Sequence, residues 1–113
     1  MRTLKNSTDS YRPLFIDFDA FTDGDPDFKK EITELMIDNL LEMQQVLAVA
    51  SKQKDDVAFH KVCHKIKATL EMLEDKELLE IVEILKADVS HAEQAAQLDR
   101  VCRDIIVSLQ HSN

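Results

Sequence analysis

From Pro26 to Gln110 the apolar residues recur every three or four positions in four successive stretches, separated by short polar joints. Such spacing puts side chains on one face of a helix. The first stretch carries Phe28, Ile32, Leu35, Met36, Leu40, Met43, Leu47 and Ala50. The second carries Phe59, Val62, Cys63, Ile66, Leu70 and Leu73. The third has Leu78, Ile81, Val82, Leu85 and Val89, and the fourth Leu98, Val101, Cys102, Ile105 and Leu109. One Gly and two Pro in 113 residues are too few for the tight turns of an all-β fold. Four long helices with short joints predict an all-α protein, an antiparallel up-down-up-down four-helix bundle.

Helix-start chemistry marks the same boundaries. Asp25-Pro26 is an N-cap followed by a proline at the first helical position, where a missing N–H costs nothing. Asp55 or Asp56 can cap the second helix and Asp75 the third. Ser90-His91-Ala92-Glu93 has the capping-box pattern for the fourth. Residues 1–13 are polar, end in Pro13 and read as a loose N-terminal tail. Leu14 to Phe21 is an apolar patch that predicts a short helix or turn, stopped at Thr22-Asp23-Gly24. Residues 14–113 then form one domain, a length that suits a single core.

Charge narrows the partners. The net charge is −8, from 22 acidic and 14 basic residues. General nucleic-acid binding needs a basic face that displaces phosphate counterions. An anionic membrane surface needs the same. No apolar run approaches the roughly 20 residues of a membrane span. The first residues, Met-Arg-Thr-Leu-Lys-Asn-Ser, lack the apolar core of a signal peptide, so a cytoplasmic location is expected. Cys63 and Cys102 both fall in apolar stripes and read as small buried hydrophobes.

His64 breaks the pattern. At 100° per residue it lies about 140° from the centre of the apolar stripe of its helix. Lys67 sits one turn on, and Ala68 stacks beyond His64 with almost no side chain to shield it. With an ordinary pKa of about 6.5, a histidine is largely neutral near pH 7 and can act as a nucleophile. It can accept a phosphoryl group if one ring nitrogen is exposed and a cation stands near the phosphoryl oxygens. Lys67 supplies that charge, and Lys65 and Lys61 add to it.

Other site chemistry finds less support. His60, one turn before His64, reads as a surface residue, and His91 and His111 fall near helix ends. His60, Cys63 and His64 have spacings that can gather metal ligands. Cys63, however, points about 100° away from His64 into the core stripe, and no fourth ligand is evident. Metal ligands are therefore not expected. No Gly-rich loop for nucleotide phosphates is possible with one Gly. Met36, Met43 and Met72 read as core or rim.

The segment His64-Lys65-Ile66-Lys67-Ala68-Thr69 resembles the signature of histidine-containing phosphotransfer (HPt) domains. That signature is a histidine, any residue, an apolar residue, a lysine, a small residue that is usually glycine, and often serine. Gly24-Asp25-Pro26-Asp27-Phe28 resembles the start of the family's first long helix. Met72-Leu73 and Glu77-Leu78 resemble the segment after its active histidine. The resemblance spans about residues 14–89. It implies that His64 is phosphorylated, that Lys67 and Lys65 steady the phosphoryl group, and that the chain acts as a monomer. It also implies partners, the receiver domains of response regulators or hybrid histidine kinases, which bring the acceptor aspartate and Mg²⁺. No cofactor of the chain's own and no ATP-dependent kinase activity are implied. Ala68 stands where the family usually has glycine, and Glu74 where it often does. The rival reading is a non-catalytic helical adaptor that binds a partner protein, with His64 incidental.

Overall fold

The computed structural model describes residues 12–112, and within them the chain is helical without strands. The expected tail therefore lies outside the described residues, except for Arg12 and Pro13. The elements are α1 (Phe18–Thr22), α2 (Pro26–Gln53), α3 (Asp56–Lys65), α4 (Lys67–Leu73), α5 (Lys76–Ala87) and α6 (Ala92–His111).

Each start has a chemical cause. Asp25 caps α2 by accepting from the amides of Asp27 at 2.9 Å and Phe28 at 3.3 Å, with Pro26 first in the helix. Asp55 caps α3 through the Ala58 amide at 3.0 Å, and Asp75 caps α5 through the Leu78 amide at 3.0 Å. Asp56, the other capping candidate, instead accepts from the Val89 amide at 3.0 Å and ties α3 to the chain beyond α5. Between α1 and α2 the chain turns through Asp23 (φ 52°) and Gly24 (φ 75°), and a glycine meets the second left-handed position without strain.

Packing joins these elements around one core. α2 lies against α3 and α6, α6 against α5, and α5 against α3, while α1 rests on α2. Met36, Leu40, Met43 and Leu47 of α2 are buried, as are Phe59 of α3, Leu70 and Leu73 of α4, Leu78 and Leu85 of α5, and Leu98, Ile105 and Leu109 of α6. Burying each such side chain contributes about 1.5–3 kcal/mol. Among the described residues no helix is long and apolar enough to cross a membrane.

Three expectations change. Phe28 and Leu35 do not join the core and are 44% and 58% exposed. On the α2 wheel Leu35 stands 100° from buried Met36, at the edge of the stripe. The capping box at Ser90 does not form. His91 takes the N-cap position without a side-chain bond, and Ser90 gives its hydroxyl (2.6 Å) and amide (2.9 Å) to Asp88 Oδ1. A charged acceptor two residues away outcompetes the helix start for that hydroxyl. Finally, the helix bearing His64 is not continuous, and breaks at Ile66.

Arg12 is not loose. Its guanidinium donates to Asp75 through Nε (2.7 Å) and Nη2 (2.9 Å), and Nη2 also reaches Glu77 Oε1 at 2.8 Å. Its carbonyl accepts from the Ser108 hydroxyl at 2.6 Å. One residue thus ties the start of the described chain to the α4–α5 joint and to α6.

Candidate functional site

The wheel of α3 places Phe59, Val62 and Cys63 inward and leaves His64 exposed, as its register predicts. One residue past His64's neighbour, the helix yields at Ile66 (φ −102°, ψ 19°), close to the sparsely allowed bridge region. The Ile66 amide still reaches the Val62 carbonyl at 3.0 Å, and the Ile66 side chain is buried. The break therefore re-aims the chain without opening the core, and it falls between His64 and Lys67.

Both flanks of the break are pinned to α2. Lys65 Nζ donates to Glu42 at 2.9 and 3.0 Å, and Asn39 Nδ2 donates to the Thr69 hydroxyl at 2.8 Å. On the other side His60 holds α3 to α5. Its Nε2 lies 2.9 Å from the Lys86 carbonyl. A carbonyl only accepts, so Nε2 carries the proton. That carbonyl belongs to the last turn of α5, which lacks an intrahelical partner. His60, which reads from the sequence as plain surface, is thus a bridge between two helices.

His64 borders a groove of about 320 Å³ between α3–α4 and α5. Lys67 and Glu71 line it on the His64 side, and Leu79, Glu83 and Lys86 on the α5 side. Lys67 Nζ stands 3.9 Å from Glu71 Oε2, a loose pair with both side chains about two-thirds exposed. Such a pair adds little stability, so the lysine is free to re-pair. Ala68 is exposed one turn beyond His64. On its opposite side His64 also borders a shallow hollow with Asp56, Val57, His60 and Lys61. The imidazole therefore stands on a ridge between two concave surfaces.

Of the residues singled out from the sequence, His64 and Lys67 meet in one groove. Lys65 does not share it, because its charge is engaged by Glu42 on α2. The α5 wall was not visible in the sequence beyond the helical spacing of Glu83 and Lys86. Both cysteines are buried, and burial pushes each thiol up to about 12, which leaves them unreactive as thiolates. Among the described residues no group of three His, Cys, Asp or Glu side chains is arranged to hold a metal ion. Chemically, the site offers an exposed imidazole that shares a groove with a cation, on a segment tied to neighbouring helices at three points.

No protein-family model, no curated protein and no solved structure matches this chain.

Proposed function

We propose that this chain is a phosphorelay intermediate of the HPt type. α2, α3–α4, α5 and α6 form its antiparallel four-helix bundle. In this reading α1 covers one end, and the protein works as a monomer in the cytoplasm. His64 accepts a phosphoryl group from the aspartyl phosphate of one receiver domain and passes it to the aspartate of another. The observation that carries the reading is His64 itself, exposed on a helix whose other face packs into the core, and sharing a groove with Lys67.

The transfer is a displacement at phosphorus. The lone pair on the unprotonated ring nitrogen of His64 forms the N–P bond as the P–O bond to the aspartyl carboxylate breaks. The carboxylate leaves with the bonding pair, and the proton on the other ring nitrogen stays in place. Lys67 leaves its loose pairing with Glu71 and balances charge on the phosphoryl oxygens. Such transfers depend chiefly on positioning and electrostatics, so one nucleophile and fixed cations suffice. The partner receiver brings Mg²⁺. Lys65, held by Glu42, contributes to the local field rather than by contact.

The test is uptake of label from receiver domains charged with acetyl phosphate, scored as an acid-labile, base-stable phosphate. Uptake supports the relay. Absence of label with every receiver of the source organism contradicts it and favours the adaptor reading. Two substitutions refine it. Lys67→Ala is expected to slow uptake about tenfold with unchanged helicity, since a charge-assisted contact to an anion is lost. Stopped-flow transfer rates check this. Ala68→Gly is expected to speed uptake by clearing a methyl from the approach to His64. It should also weaken the helix by up to about 1 kcal/mol, read as a lower urea midpoint.

A further inference from the structure

The groove beside His64 has a second cation on its far wall. We propose that Lys86 binds the phosphoryl group on His64 from α5, and that Glu83 is the counter-ion it leaves when the group arrives. This inference rests on the phosphotransfer reading of His64.

Three observations carry it. Lys86 lines the same groove as His64 and Lys67, from the opposite side. Its Nζ is held 3.2 Å from Glu83 Oε2, and its side chain is 31% exposed, so most of it is covered while it lines the groove. Its backbone is registered to α3, because the Lys86 carbonyl accepts from His60, one turn before His64. The Lys86 side chain thus starts from a fixed point relative to the nucleophile.

Charge balance supplies the driving force. In the free protein the groove has two cations, Lys67 and Lys86, and two carboxylates, Glu71 and Glu83, each lysine paired on its own helix. A phosphoryl group at neutral pH brings about two negative charges. Lys67 alone cannot balance them. The dianion is a stronger partner than Glu83 for the ammonium, which needs only side-chain rotation to change partners. Glu83 then stands unpaired at the rim, exposed to water. The pairing makes two opposite predictions. Losing Lys86 weakens the phosphorylated state, while neutralising Glu83 strengthens it by freeing Lys86 and removing a like charge.

The experiment measures the equilibrium between a phosphorylated receiver and this chain, with His64 occupancy read by phosphorus NMR. Lys86→Ala is expected to lower the transfer equilibrium constant about threefold to tenfold, and Lys86→Arg to retain it. Glu83→Gln is expected to raise it. The Lys86 ammonium resonance of the otherwise unmodified protein should shift when His64 is phosphorylated, a response that a purely structural role would not produce. An unchanged equilibrium in Lys86→Ala, or a Lys86 resonance that ignores phosphorylation, overturns the inference while leaving His64 as the acceptor. Failure of the unmodified protein to take label at His64 would instead overturn the phosphotransfer reading itself.

Discussion

Replacing His64 with glutamine is expected to abolish the acid-labile phosphate completely and leave the fold intact. The side chain is exposed and makes no contribution to the core, so the substitution belongs to the surface class that shifts stability by no more than about 0.5 kcal/mol. Glutamine approximates the reach and polarity of the ring but has no nucleophilic nitrogen. The control is His60→Gln. His60 is also exposed and one turn away, but its Nε2 proton is committed to the Lys86 carbonyl. That variant should still take label at His64, more slowly if the α3–α5 bridge helps to hold the groove. Equal labelling of the His64→Gln protein would assign the chemistry to another residue. Circular dichroism before and after labelling checks that both variants are folded.

The second large effect lies far from the site. Arg12→Met is expected to destabilise the protein by about 2–3 kcal/mol, a fall in Tm of roughly 10–20 °C for a domain of this size. Asp75 is nearly buried and accepts two guanidinium bonds, and it also caps α5. Removing Arg12 leaves that carboxylate out of water with one partner fewer. Glu77 is nearly half exposed and adds little. Burial pushes the Asp75 carboxyl up, but the Arg12 guanidinium and the Leu78 amide more than reverse this and hold it below the usual carboxylate range. A group lowered in the folded state stabilises above its unfolded pKa of about 3.9. The difference between parent and variant should therefore be flat near neutrality and shrink as the pH falls below about 4. Asp75→Asn keeps a capping oxygen. In the Arg12→Met background it should cost less than in the parent, a coupling that a double-mutant cycle reads directly.

These two residues show what a sequence displays and what it hides. His64 was legible because its position depends only on the 100° step of its own helix and on apolar neighbours within two turns. The caps Asp25, Asp55 and Asp75 were legible for the same reason, since each bonds an amide two or three residues ahead. Arg12 looked like part of a polar tail because its partners stand 63 and 65 residues away. His60 and Lys86, 26 residues apart, meet only once α3 and α5 pack in one register. Leu35 reads as core from the sequence because helical spacing tolerates an apolar residue at the edge of the stripe, and only packing tells edge from core. The break at Ile66 has no local signal, as neither Gly nor Pro lies near it. What flanks it is tertiary, Lys65 bonded to Glu42 and Thr69 to Asn39, residues 23 and 30 positions away.

The fold and the site also differ in what they require of the chain. The core is distributed over all the long helices, so no single apolar position defines it. The site is concentrated. One imidazole stands there with one lysine on its own side and one on the facing helix, and Glu71 and Glu83 pair with the two lysines. In the proposed relay the net charge of −8 disfavours general polyanions, and the lysines of the groove are the local exception that a single phosphoryl group requires.

The proposed relay requires that phosphorus become bonded to a ring nitrogen of His64. A phosphorus–proton correlation spectrum tests it on the protein after incubation with a charged receiver domain and Mg²⁺. One phosphorus resonance is expected, coupled to the ring protons of His64 and absent in His64→Gln. A resonance coupled to the ring of His60, His91 or His111, or no protein-bound phosphorus at all, would contradict it.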